Sequence, residues 1–92
     1  MLDEVKMQLL KLDLQRIGEM PDEPLLESYL RAAASNLARQ GVRDDSSEDY
    51  IALLIGTAAW MYRKRISGEV EPRYLRRMRL DMKYGKGGEP DA

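Results

Sequence analysis

The segment from Ser47 to Ile66 most constrains what this chain can fold into. Its residues Ile51, Leu54, Ile55, Ala58 and Tyr62 recur at helical spacing and make one apolar stripe. At 100° per residue, Leu53 and Trp60 fall on the opposite side of the same helix, one heptad apart. A helix that is apolar nearly all round is either the centre of a core or shared with a neighbouring chain. The start of this helix carries Ser46-Ser47-Glu48-Asp49, in which Ser46 and Asp49 have the spacing of a capping box. Its end carries Arg63-Lys64-Arg65, cations suited to the negative pole of the helix dipole.

Three further segments carry the helical period. The first follows a candidate N-cap at Asp3 and places Leu2, Val5, Leu9 and Leu12 on one stripe. Gly18-Glu19-Met20-Pro21 breaks it. The second starts after Asp22, with Glu23 and Pro24 in its first turn. Its apolar face is Leu26, Tyr29, Leu30, Ala33 and Leu37, and Gly41 stands where a left-handed glycine would end it. The fourth runs from about Pro72 to Tyr84, with Tyr74, Leu75, Met78 and Met82 as its apolar stripe and Leu80 and Tyr84 on another face beside Arg76 and Arg77. No stretch alternates strongly enough to demand a strand. The expected fold is all-α: one small bundle of about four helices, the two central ones longer. The expected domain covers residues 1–84, and residues 85–92 read as a flexible tail.

The net charge of −1 conceals a division. Residues 1–62 hold 6 Lys/Arg against 11 Asp/Glu, a net −5, whereas residues 63–86 hold 9 against 3, a net +6. Residues 87–92 add −2. An acidic body with a basic arm suits contact with a polyanion or an acidic protein surface. The basic arm comprises Arg73, Arg76, Arg77, Arg79, Lys83 and Lys86. Its plainer reading is a solvated helix face with cations near the helix end.

Catalytic chemistry finds few residues to use. Cysteine and histidine are both absent, which removes thiolate sites, the commonest general base and the commonest zinc ligand. Ser28, Ser35, Ser46 and Ser47 therefore have no such partner to activate them. Asp44, Asp45, Glu48 and Asp49 crowd one loop but lack EF-hand spacing and its glycine, so they read as a negatively charged helix start. Gly85-Lys86-Gly87-Gly88 lacks the strand, the Ser/Thr and the helix of a phosphate loop. No catalytic residue, metal ligand or cofactor site is expected. No apolar run approaches the roughly eighteen residues of a membrane span. Met1-Leu2-Asp3-Glu4 lacks the basic start of a signal peptide, so a cytoplasmic origin is expected.

The order of these elements resembles a known family. The chain opens on Leu2-Asp3-Glu4-Val5-Lys6, followed by a polar break. Leu25-Leu26-Glu27-Ser28-Tyr29-Leu30 then runs through the Ala-rich stretch 31–34 to Gly41. A third helix carries Ala58-Ala59-Trp60-Met61-Tyr62-Arg63, and a helix starting at Pro72 closes the pattern. Over about residues 2–83 this resembles the head–tail connector proteins of tailed bacteriophages and prophages, small adaptors that sit beneath the portal. The resemblance implies a structural protein, not an enzyme. It implies a ring of copies through which the genome passes, one side gripping the portal protein and the other receiving a tail or stopper protein. It places the protein in the virion neck after synthesis in the host cytoplasm.

Read this way, Leu53 and Trp60 are candidates for the subunit interface. Arg73, Arg76, Arg77, Arg79 and Lys83 are candidates for contact with the portal or with DNA passing through the ring without sequence readout. The alternative is a small helical DNA-binding regulator, whose fourth helix would read bases with Arg76, Arg77 and Arg79. Residues Ser67–Glu71 fit the tight turn of a helix-turn-helix poorly.

Overall fold

A computed structural model describes residues 2–84, with side chains from residue 4 onward. The expected tail, with Lys86 and the Gly-rich run, lies outside the described residues. The chain is all helical over this range: α1 (Leu2–Gln15), α2 (Glu23–Arg39), α3 (Glu48–Ser67) and α4 (Arg73–Tyr84). The two longer helices are the central pair, as the sequence implies.

Each boundary has a local cause. Asp22 caps α2, its carboxylate accepting from the Leu25 amide at 3.1 Å, and Pro24 fills the first turn where no amide partner is needed. Gly41 follows α2 with φ +88°, and the Val42 amide reaches back to the Leu37 carbonyl at 2.9 Å. The cap of α3 is Ser47, whose hydroxyl accepts from the Tyr50 amide at 3.0 Å. The cap therefore lies one residue later than the expected capping box on Ser46, and its third helical position falls on Tyr50 instead of Asp49. Ser46 instead turns the chain at φ +59°, its amide held by Asp44 at 2.9 Å. Gly68 ends α3 in the left-handed conformation. At the other terminus α1 is already helical at Leu2, so Asp3 lies within the helix and not before it.

The helices run up, down, up and down. Lys6 meets Asp44 at 3.8 Å near one end, while Arg63 approaches Asp13 at 4.0 Å near the other, so α1 and α3 are parallel neighbours. Helix α3 packs against all three others. Leu53, Leu54, Ile55, Gly56, Thr57, Ala58 and Ala59 form an unbroken buried run along it, which confirms the all-round apolar reading. Leu10 and Leu14 from α1, Leu26, Ala33 and Leu37 from α2, and Leu75 from α4 close around that run. The α1–α2 loop is pinned to α3 by the Tyr62 hydroxyl, which donates to Glu19 at 2.8 Å. That bond, with some burial, raises the Tyr62 pKa above the ordinary phenol value. The Tyr62 ring meets Tyr29 edge-on at 5.7 Å. Thr57 Oγ1 is buried without a hydrogen-bond partner, a loss of about 1–3 kcal/mol that the surrounding packing must exceed.

The sequence reading of α1 needs correction. The apolar stripe read there does not line the core: Val5, Leu9 and Leu12 are 50%, 39% and 57% exposed. The buried stripe is Leu10 and Leu14, with Met7 packed beside them. Helix α1 carries two apolar stripes on different faces, and one of them looks outward. In α4, Leu75 is buried and Met78 and Met82 pack against the core as expected, but Tyr74 is 55% exposed.

Gly56 sets the approach of α4. A β-carbon there would stand 2.6 Å from Leu75 Cδ2, and Leu75 is fully enclosed. Gly56→Ala should therefore destabilise the fold. Overpacking of this kind costs about 1–3 kcal/mol, against roughly 1 kcal/mol returned by better helix propensity. Thermal melts should show a net loss, and the damage from Gly56→Ala should shrink in a Leu75→Ala background. Equal damage in both backgrounds would refute the steric account.

Candidate functional site

The two residues expected to meet other subunits are placed differently from each other. Leu53 is fully buried by its own chain, so it is a core residue and offers nothing to a neighbour while the subunit is folded. Trp60 is half-buried. Its indole N–H donates to the Glu69 carbonyl at 3.0 Å, and Lys64 places its ammonium 5.2 Å from the ring centre. Arg63 reinforces the same strap, its Nε bonding both carboxylate oxygens of Glu69 at 3.1 and 3.2 Å. The α3–α4 connection thus folds back over the face of α3 that the sequence left open. A turn six to nine residues downstream supplies the cover, which is why helical phase alone missed it.

The basic arm divides in two. Arg79 is half-buried and holds the carboxylate of Glu71, one of its two contacts being 3.2 Å. Lys83 places its ammonium 5.3 Å from the Tyr84 ring, and its stem lies where a side chain at Gly41 would stand. Arg79 thus serves the fold, whereas Lys83 is exposed. Arg73, Arg76 and Arg77 are exposed and form no ion pair among the described residues. Spacing places Arg73, Arg77, Leu80 and Tyr84 on one face of α4, with Arg76 beside them. Leu80 is 46% and Tyr84 70% exposed, so this outward face mixes guanidinium groups with uncovered apolar surface.

A second surface went unseen in the sequence. Val5, Leu9 and Leu12 of α1 form one wall of an open groove of about 510 Å³, and Ile51, Ala52 and Ile55 of α3 form the other. Gly56 and Tyr74 close it on the α4 side. Glu48 and Arg16 also line the groove, both exposed and neither in an ion pair among the described residues. The signal was present in the residues, because α1 has more apolar side chains than one face can bury.

The carboxylates of the α2–α3 loop are engaged locally. Asp44 and Asp45 accept from the amides of Ser46 and Ser47 at 2.9 and 3.0 Å, building the turn into α3. Burial, with the charges of Asp44 and Asp45 nearby, raises the Tyr50 pKa. Among the described residues no group of three or more acidic side chains is placed to hold a metal ion. No helix is long and apolar enough to cross a membrane.

Comparison with known proteins finds no matching family model, no similar curated protein and no similar solved structure. The site is therefore defined by geometry: an apolar groove between α1 and α3, and a basic-apolar face on α4.

The strap over Trp60 yields a direct expectation. Trp60→Phe keeps most of the buried ring but loses the bond to Glu69, and should cost about 1 kcal/mol. Trp60→Ala should approach the lower end of the roughly 3–5 kcal/mol range for truncating a large aromatic. Chemical denaturation at two protein concentrations measures both. Unchanged stability combined with weaker self-association would place Trp60 at an interface instead.

Proposed function

We propose that this chain is a structural head–tail connector subunit of a tailed phage or prophage, acting mechanically within a ring beneath the portal. The observation that carries the reading is the outward face of α4. Three arginines stand free there beside Leu80 and Tyr84, on a helix anchored from behind by Leu75. Such a face suits docking on an acidic protein surface, where exposed apolar groups add contact area to charge. The element order described above supports the same reading. A ring interface is heterologous and needs two unlike patches on each subunit. The groove and the α4 face are unlike in shape and charge.

In this reading α4 meets the portal, and the opposite side of the ring receives a tail or stopper protein. The genome passes through without sequence-specific contact. The protein is made in the host cytoplasm and ends in the virion neck. Arg73, Arg76, Arg77 and Lys83 carry the portal or DNA contact; Arg79, held by Glu71, supports α4. The competing reading, a DNA-binding regulator, draws on the same three arginines. It loses Arg79 as a base reader, because that guanidinium is already committed to Glu71.

The two readings part in a titration. Reversing Arg76 and Arg77 to Glu should leave the melt intact and abolish binding to a purified portal. The unaltered chain should show at most weak, sequence-blind affinity for duplex DNA that collapses with added salt. A preference of about a thousand-fold or more for one sequence, the usual margin of specific sites, would overturn the connector reading.

A further inference from the structure

We infer that the α1–α3 groove receives one amphipathic helix of a different protein, lying antiparallel to α1 and α3, with acid in its first turn and base in its last.

The walls of the groove specify a helix. On α1, Val5, Leu9 and Leu12 stand 39–57% exposed, and Arg16 continues their row. Their spacing of four, three and four residues is that of a coiled-coil seam. On α3, Glu48, Ala52 and Ile55 repeat the four–three spacing, with Ile51 alongside. Two such seams side by side offer hollows to a third helix with the same repeat, at the shallow crossing of about 20° that this packing favours. An extended peptide finds nothing equivalent. Both walls are helices, whose backbone groups bond along their own axes and give no edge to a strand. A helix arrives with its backbone already satisfied.

Length and charge set the size and direction of that helix. Helical rise separates Val5 from Arg16 by about 16 Å along α1, which is room for three turns. Helices α1 and α3 are parallel, as the Lys6–Asp44 and Arg63–Asp13 contacts at their two ends require. Glu48, the first residue of α3, therefore lies at the Val5 end of the groove, whereas Arg16 lies just past the end of α1. Both are exposed and neither forms an ion pair among the described residues, while Asp13 in the same wall is turned toward Arg63. The dipole of a helix favours acid in its first turn and base in its last. A helix of that kind meets both free charges only with its first turn at Arg16 and its last at Glu48, which is the antiparallel direction.

A second copy of this chain does not meet these conditions. A two-fold that pairs Arg16 with Glu48 sets ridge against ridge, and one that seats ridge in hollow sets like charges at the same level. The inference does not rest on the connector reading. A groove holding a foreign helix is closed to a neighbouring subunit, so the two uses exclude each other at any one time.

The probe is a displayed library of helices of about eighteen residues, long enough to hold helical structure once docked. Each carries an apolar four–three seam and random charge at both ends, and the full chain serves as the target. Selected peptides should carry Asp or Glu in the first turn and Lys or Arg in the last, and should bind saturably when titrated free. Leu9→Asp, at an exposed position, should melt as the parent does and weaken binding about thirty-fold or more, the equivalent of one buried leucine. Exchanging the charges at the two peptide ends should weaken binding about ten-fold. Arg16→Glu combined with Glu48→Lys should invert that preference. A selection that yields no peptide dependent on Leu9, peptides of the opposite polarity, or a preference unchanged by the double exchange would each overturn the inference. So would a Leu9-dependent dimer in sedimentation equilibrium, because the groove would then belong to a second copy. None of these measurements involves a portal or DNA, so failure here is distinguishable from failure of the connector reading.

Discussion

Leu75 seats a methyl group where a side chain at Gly56 would stand, and the bundle is arranged around that close crossing of α4 over α3. It brings α4 near enough to close one side of α3, while α1 and α2 close the others. Once α4 is seated, the connection leading into it lies over Trp60, and Glu69 is positioned to take both the indole N–H and the Arg63 guanidinium. One small residue thus lets a chain of 92 residues bury the middle of a single helix, from Leu53 to Ala59, on all its faces. Short domains have little interior to spare, and a central helix buried along its middle makes good use of it.

Enclosing α3 leaves other apolar surface uncovered. Helix α1 cannot bury two stripes when α3 occupies only one of its sides, so Val5, Leu9 and Leu12 face outward. Helix α4 turns Leu75 inward and leaves Leu80 and Tyr84 among its arginines. Exposed apolar residues are ordinary when scattered, but a contiguous row along a groove marks a contact surface. The surfaces available to partners therefore lie mainly on the two shorter helices, with the N-terminal part of α3 completing the groove through Ile51, Ala52 and Ile55.

Much of the fold was legible from the residues. The stripes of α2 and α3, the cap at Asp22 and the left-handed Gly41 all follow from spacing and local chemistry, and the structure bears them out. Local signals failed where two alternatives were locally equivalent. Ser46 and Ser47 are both competent caps, and Asp44 decides between them by holding the Ser46 amide. Both faces of α1 are apolar, and tertiary packing chooses between them. The site was harder to read, because interaction surfaces are defined by what the chain leaves uncovered. Leu53 and Trp60 were singled out for lying off the main stripe of α3, yet the chain itself buries Leu53, and the turn before α4 covers part of Trp60. Arg79 belongs to a basic run, but only the folded turn reveals that Glu71 holds it. Gly56 carried no sequence signal beyond its identity, since a glycine within a helix can mark a close crossing or nothing at all.

The central claim is that the middle of α3, from Leu53 to Ala59, is buried by its own chain and is the most protected stretch of the isolated subunit. Amide hydrogen exchange tests it most directly. The slowest amides should fall between Leu53 and Tyr62, exchange only through global unfolding, and keep their protection at protein concentrations too low for self-association. Rapid exchange in that stretch at low concentration, with protection gained only as copies associate, would contradict the claim and make α3 part of an interface.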